Sequence, residues 1–201
     1  MAGRPRGVED VVILRAAAQV MGRLGPSGLT LAAVAREVGL VPGTLVQRFG
    51  SKRGLILALA DRSVQDADAL SDRIRAEQDS ALGALAALLA EWMAPMVSPE
   101  TFAHHLAFLC TDLTDPELRE RAFAVHEAQR RAVGALLTEA VSTGELRATT
   151  DVGTLTATVQ AVTSGTGLSW ALDRRGTLVQ RVRHALDAVL APHTATAAPG
   201  T

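Results

Sequence analysis

Residues 39–55, GLVPGTLVQRFGSKRGL, constrain the fold more than any other stretch of the chain. Gly39 and Gly50 mark turns, and Pro42 suits the first turn of a helix, where its missing N–H would be an orphan in any case. Leu45 and Phe49 are four apart and can be buried on one face. The spacing therefore predicts a very short helix pinned between two turns, with Thr44, Val46, Gln47 and Arg48 pointing outward.

Helical spacing continues on both sides. Ile13, Ala16, Ala17, Val20 and Leu24 form one amphipathic stripe, stopped by GPSGLT. Thr30 is an N-cap for a second helix with Leu31, Val34, Ala35 and Val38 on one face, ended by Gly39. Ser51 caps a long fourth helix expected to reach about residue 74. Further helices are expected at 80–94, 99–112, 115–142, 151–173 and 176–191, each bounded by Pro, Gly or Asp. TLTATVQAVTSGTG is rich in Thr and Val, which favour strands. Leu155, Val159, Val162, Thr166 and Trp170 nevertheless repeat at helical spacing, and no partner strand is evident. The chain reads as all-α.

The expected domains are 1–53, 54–192 and a tail at 193–201, with the helix from 51 linking the first two. The head MAGRPRG and the tail HTATAAPGT have the composition of flexible ends. No apolar run approaches the roughly 20 residues of a membrane span, and the N-terminus lacks an apolar signal core, so a soluble, cytoplasmic protein is expected. One cysteine, Cys110, excludes an internal disulfide framework and gives no zinc spacing. Neither a metal nor a cofactor is expected. Residues 1–53 hold eight Arg and Lys against three Asp and Glu, and the remainder twelve against eighteen. A basic head on an acidic body suits a polyanion partner, although ordinary surface charge is an equal reading.

Two helices joined by a tight turn at Gly39, the second of them short, are the layout of a helix-turn-helix, whose second helix enters a DNA major groove; a structural helical hairpin is the plainer alternative. Residues 13–61, ILRAAAQVMGRLGPSGLTLAAVAREVGLVPGTLVQRFGSKRGLILALAD, resemble the DNA-binding domain of the tetracycline-repressor (TetR) family. The matching elements are Ile13-Leu14 with Ala16-Ala17, Gly25, Leu29-Thr30, Val34-Ala35, Gly39, Gly43-Thr44-Leu45, Phe49 and Ser51-Lys52. The resemblance implies phosphate contacts at Thr30 and Lys52, and a groove-facing set of Pro42, Gly43, Thr44 and Gln47. Gln47 can pair with adenine N6 and N7, and Thr44 can touch a thymine methyl. Arg36 would meet backbone or solvent. The chain departs from the family at Val41, where a Ser-like cap is usual, at Val46, where a phosphate-binding tyrosine is usual, and at Arg48, where Tyr or His is usual. Arg48 is expected to replace the missing anchor on the DNA backbone, with a guanine-reading role as the competitor.

The larger helical domain holds most of the aromatic and thioether side chains. Trp92, Met96, Phe102, Phe108, Leu109 and Trp170, with the polar His105, His126 and Gln129 on or beside apolar stripes, are candidates for a ligand pocket; ordinary core is the plainer reading for each. The resemblance implies a small, largely apolar inducer in this domain. Thr158, Ala161 and Gly165 would permit close helix approach, and Leu178, Val182, Leu186 and Val189 form a stripe on the last helix. The family packs these two helices against their copies, so a homodimer is expected; an internal helix pair is the alternative. The leading functional expectation is a ligand-responsive repressor that binds a near-palindromic DNA operator. A DNA-binding regulator controlled by a protein partner, or by nothing, is the alternative. A helical enzyme using His104, His105, His126 or Cys110 is remote, since no catalytic or metal spacing accompanies them.

Overall fold

The computed structural model describes residues 8–195. Within them the chain forms α1 (Asp10–Gly28), α2 (Leu31–Glu37), α3 (Pro42–Phe49), α4 (Lys52–Glu77), α5 (Ala81–Met93), α6 (Pro99–Asp112), α7 (Pro116–Ser142), α8 (Val152–Asp173), α9 (Leu178–Leu190) and a 3-10 turn, Ala191–His193. No strand forms among the described residues; a lone antiparallel bridge joins Leu146 to Thr194. None of these helices is long and apolar enough to cross a membrane. The expected flexible head, 1–7, and residues 196–201 of the expected tail lie outside the described residues. Residues 193–195 are held in place, because the Arg147 N–H donates to the His193 carbonyl at 2.8 Å and the Ala195 N–H to that of Glu145 at 3.1 Å.

Two compact units result. The first comprises the chain up to Ser63 together with Ala103–Ala122; the second comprises Val64–Phe102 and the chain from Phe123 onward. In the first, Ile13, Ala17, Val20, Leu29, Val34, Ala35, Leu45 and Leu55 are wholly buried, and Phe108 completes the core. Leu24, expected on the α1 stripe, is 45% exposed. Gly25 takes φ 68°, and this kink ends the regular part of α1 ahead of Pro26. A Cβ on Gly25 would lie 2.8 Å from the His104 ring, whose Nδ1 sits 2.8 Å from the Gly22 carbonyl.

In the second unit, Leu85, Leu88, Val133, Leu137, Leu155, Val159 and Trp170 form a core on which α9 closes. The Thr-rich segment becomes helix α8 because its hydroxyls are satisfied within the helix: Thr156 donates to the Val152 carbonyl at 2.7 Å, Thr158 to Thr154 at 2.9 Å and Thr163 to Val159 at 2.8 Å. Ser80, Asp151 and Thr177 cap α5, α8 and α9. The Glu145 carboxylate adds to the first cap, accepting from Ala81 N at 2.8 Å and Leu82 N at 3.2 Å.

The stripe on α9 faces inward. Leu178, Val182 and Leu186 are 2%, 2% and 4% exposed in the single chain, so they are not open to a second copy as expected; Val189 is half-buried. Their partners are α5 and α8. Thr158, Ala161 and Gly165 lie on the exposed face of α8, with Leu168 and Leu172 further along it at 49% and 77% exposed.

Two glycines give a paired test of packing. A Cβ on Gly54 would lie 2.0 Å from the Phe49 carbonyl oxygen, whereas one on Gly134 would meet nothing nearer than the Thr156 hydroxyl at 3.5 Å. Gly54→Ala should lower stability by about 1–3 kcal/mol, the usual cost of overpacking. Gly134→Ala should leave it unchanged or raise it by up to about 1 kcal/mol, as expected for Gly replaced by Ala within a helix. Urea midpoints of the two variants check both signs.

Candidate nucleic-acid interface

The geometry of α3 is set at both ends by backbone turns. After α2, the Leu40 N–H reaches back to the Ala35 carbonyl at 2.8 Å and the Gly39 N–H to that of Arg36 at 3.3 Å. This pair of bonds is a Schellman motif, and it needs the φ of 68° that Gly39 supplies. Pro42 then opens α3 at its first position, with Val41 making no side-chain cap. At the far end Gly50, at φ 72°, donates to the Val46 carbonyl at 2.9 Å. The Ser51 hydroxyl follows, accepting from Gly54 N at 3.1 Å to start α4.

Leu45 is fully buried and Phe49 half-buried in the core of the first unit. Pro42, Gly43, Val46, Gln47 and Arg48 are consequently exposed, and Thr44 half-buried. Val41 and Val46 present apolar surface, 68% and 50% exposed. Thr30 caps α2, its hydroxyl accepting from Ala33 N at 3.0 Å. The side chains of Arg36 and Gln47 are exposed and make no hydrogen bond among the described residues.

Four cations, Arg23, Arg48, Lys52 and Arg53, are engaged by partners that local spacing could not reveal. Arg48 Nη1 donates to the Val8 carbonyl and, at 2.9 Å, to Asp10 at the start of α1. The Lys52 ammonium donates to the Pro26 carbonyl. Arg23 pairs with Glu37 at 2.6 Å, and this hydrogen bond holds the Glu37 carboxyl below its ordinary range. Arg53 bridges Asp115 at 3.1 Å and Glu117 at 2.6 Å. The Asp115 carboxyl is itself held low, first by the Leu118 N–H it accepts and then, against partial desolvation, by Arg53.

The residues expected to line a ligand pocket divide between the units: His105, Phe108 and Leu109 belong to the first, the other six to the second. Phe108 is core and Leu109 is 44% exposed. Trp170 is buried with its polar atom satisfied, because Nε1 donates to the Gly176 carbonyl at 3.0 Å. Phe102 meets it edge-on with ring centroids 6.5 Å apart and lies over Gly167, where a Cβ would approach within 2.4 Å. Trp92, Met96 and Gln129 are half-buried, and His126 is exposed. A groove of about 260 Å³ opens elsewhere in the second unit, between α5 and α9. The small side chains of Gly83, Ala86, Ala87 and Ala90 leave this space, and Val182 and Leu186 form its other wall. Its signal in the sequence was the alanine run of α5, which spacing alone assigns to core. Cys110 is exposed, and among the described residues no three His, Cys, Asp or Glu side chains come together as a metal site.

Comparison with known proteins agrees with this geometry. The family model for bacterial regulatory proteins of the TetR family matches residues 13–59, and that for the tetracyclin repressor-like C-terminal domain matches residues 81–186. No curated protein matches the chain. Among solved structures, a transcriptional regulator from Saccharomonospora viridis in complex with choline is 21% identical, with TM-score 0.69 over 90% of this chain and 95% of that one. FadR from Bacillus subtilis in complex with stearoyl-CoA is 20% identical, with TM-score 0.65 over 90% and 97%. SmeT, the repressor of the Stenotrophomonas maltophilia multidrug efflux pump SmeDEF, is 19% identical, with TM-score 0.67 over 97% and 96%. At these identities the likeness carries the fold. The two family matches, which together span most of the chain, establish that this protein belongs to the TetR family of DNA-binding transcriptional regulators.

Proposed function

We propose that the protein is a dimeric, cytoplasmic repressor that binds a near-palindromic operator through α3 and is released by a small, largely apolar ligand held in its second unit. It performs no catalysis. The observation that carries the reading is the placement of α3, buried through Leu45 and presenting Pro42, Gly43, Val46 and Gln47 to the outside. Thr30 and Lys52 lie at the starts of the flanking helices, where phosphate contacts are favourable. Relatives with this fold include one complexed with stearoyl-CoA and one with choline, which supports a ligand role for the second unit here.

Selection of bound fragments from genomic DNA with the purified protein tests the DNA reading. A two-fold-related sequence is expected, its half-sites about one helical turn apart. Gln47→Ala should relax preference at one base pair per half-site by about 1–3 kcal/mol. Recovery of fragments with no common sequence would overturn the operator reading.

The dimer is assigned to the exposed face of α8, because α9's apolar stripe is committed to the chain's own core. Ala161→Arg should yield a monomer in sedimentation at micromolar concentration with helicity unchanged, and should weaken operator binding. Val182→Asp should instead unfold the second unit, since it places a charge at a site 2% exposed. Sedimentation of the unmutated protein as a monomer sinks the dimer reading.

For the ligand, stearoyl-CoA and choline serve as probes. The half-buried Trp92 and the buried Trp170 supply the fluorescence signal. A ligand that releases DNA must itself bind DNA-bound protein more weakly by the same factor, typically 5–150-fold. Equal affinity for free and DNA-bound protein argues against release by that probe.

A further inference from the structure

The guanidinium of Arg48 is turned toward α1. It stands in the last turn of α3, and its Nη1 donates to two acceptors at the start of α1, the Val8 carbonyl and Asp10 Oδ1. The side chain is 29% exposed on a helix whose neighbouring Gln47 is open to solvent. The acceptors lie 38 and 40 residues away in sequence, so the contact ties the end of α3 to the start of α1. Resting on the DNA-binding reading of α3, we infer that Arg48 is a positioning residue. It fixes the C-terminal turn of α3 against α1 and contacts neither phosphate nor base.

Three features support this. First, α3 has one fully buried side chain, Leu45, near its middle, and Phe49 at its end is only half-buried. Its last turn therefore needs a second attachment to keep a fixed orientation. Second, the turn after α3 is short: Gly50 closes on Val46, and Ser51 N bonds to the Phe49 carbonyl at 2.8 Å, so a shift of Arg48 would move the start of α4 as well. Third, a guanidinium nitrogen carries two N–H donors, so Nη1 alone can satisfy a backbone carbonyl and a carboxylate together. An arginine freed to reach a phosphate would leave Asp10 without its partner beside a polyanion.

Positioning and contact predict opposite signs. If Arg48 positions α3, Asp10→Ala weakens operator binding even though it removes a negative charge. An exposed pair of this kind holds the competent orientation by a factor of about two to five. Arg48→Ala weakens binding at least as much, and the double variant is no weaker than Arg48→Ala alone. Asp10→Asn, which keeps an acceptor oxygen, stays near the unmutated affinity. If Arg48 contacts phosphate, Asp10→Ala binds more tightly, the two changes add, and Arg48→Ala flattens the slope of log affinity against log salt by about 0.9. Either tighter binding by Asp10→Ala or additivity overturns the inference. A DNA-independent arm separates it from the functional reading. Hydrogen exchange of the Gly50 amide, bonded to Val46 at 2.9 Å, should quicken alike in Arg48→Ala and Asp10→Ala. Should the unmutated protein select no operator, the DNA reading fails while the exchange measurement still decides the positioning role. Unchanged exchange in both variants overturns it.

Discussion

Burial of Leu45 is the constraint on which the interface depends. A helix as short as Pro42–Phe49 is well below the length of about 12–15 residues at which isolated helices become marginal in water, so α3 exists because it is packed. Leu45 has no exposed surface and shares its core with Val34, Ala35 and Leu55. Removing such a side chain typically costs about 2–5 kcal/mol, more than any single cap contributes. The exposed side chains of α3 take their positions from that one contact and from the glycine turns at Gly39 and Gly50. The sequence encodes the proposed reading surface indirectly, through what lies beneath it.

Local periodicity and turn chemistry were legible for that reason. The Thr30 and Ser51 caps, Pro42 at the first helical position and the inward face of α8 all follow from residues within four or five positions of one another. Partners distant in the chain were not legible. Arg48 reaches Asp10 and Val8, Lys52 reaches Pro26, and Arg53 reaches Asp115, each across more than twenty residues. Gly54 was missed for another reason although its contact is local: its missing Cβ makes room for the Phe49 carbonyl five residues back, a close approach at a helix junction that apolar spacing does not register. The TetR resemblance implied a role for Lys52, but the departures at Val46 and Arg48 removed that guidance where it was most needed.

The last helices illustrate a different limit. An apolar stripe states that a helix face is buried; it does not state whether the covering surface belongs to the same chain. Leu178, Val182 and Leu186 are covered by α5 and α8. On α8 the reverse holds. Leu155, Val159 and Trp170 are buried, while Thr154, Thr158, Ala161, Gly165, Leu168 and Leu172 follow one another at spacings of four and three on the exposed side. The Thr158 hydroxyl is already satisfied by the Thr154 carbonyl, so it asks nothing of a partner. A Cβ on Gly165 would meet nothing within 4 Å. The face is therefore smooth and ends in two exposed leucines. It permits close approach of another helix without leaving a buried polar group unsatisfied.

Charge counting misjudges the head for a related physical reason. Eight cations in residues 1–53 suggest a strong attraction for DNA. Yet Arg23 is paired with Glu37, Arg48 with Asp10, and Arg53 with Asp115 and Glu117. A paired cation projects little net field beyond a Debye length of about 8–10 Å at ordinary salt. Releasing it to meet a phosphate exposes an anion in its place. Lys52 differs, because its partner is the neutral Pro26 carbonyl and its charge remains uncompensated. Arg36, with no partner among the described residues, differs in the same way. The salt dependence of binding is governed by the number of phosphates neutralised, so cations such as these set it rather than the full count in the sequence. On the proposed reading of α3, fewer free charges leave more of the affinity to its fit against base edges. Exposed Val41 and Val46 cannot donate to a phosphate, and an apolar side chain in a major groove has the thymine methyl as its natural partner.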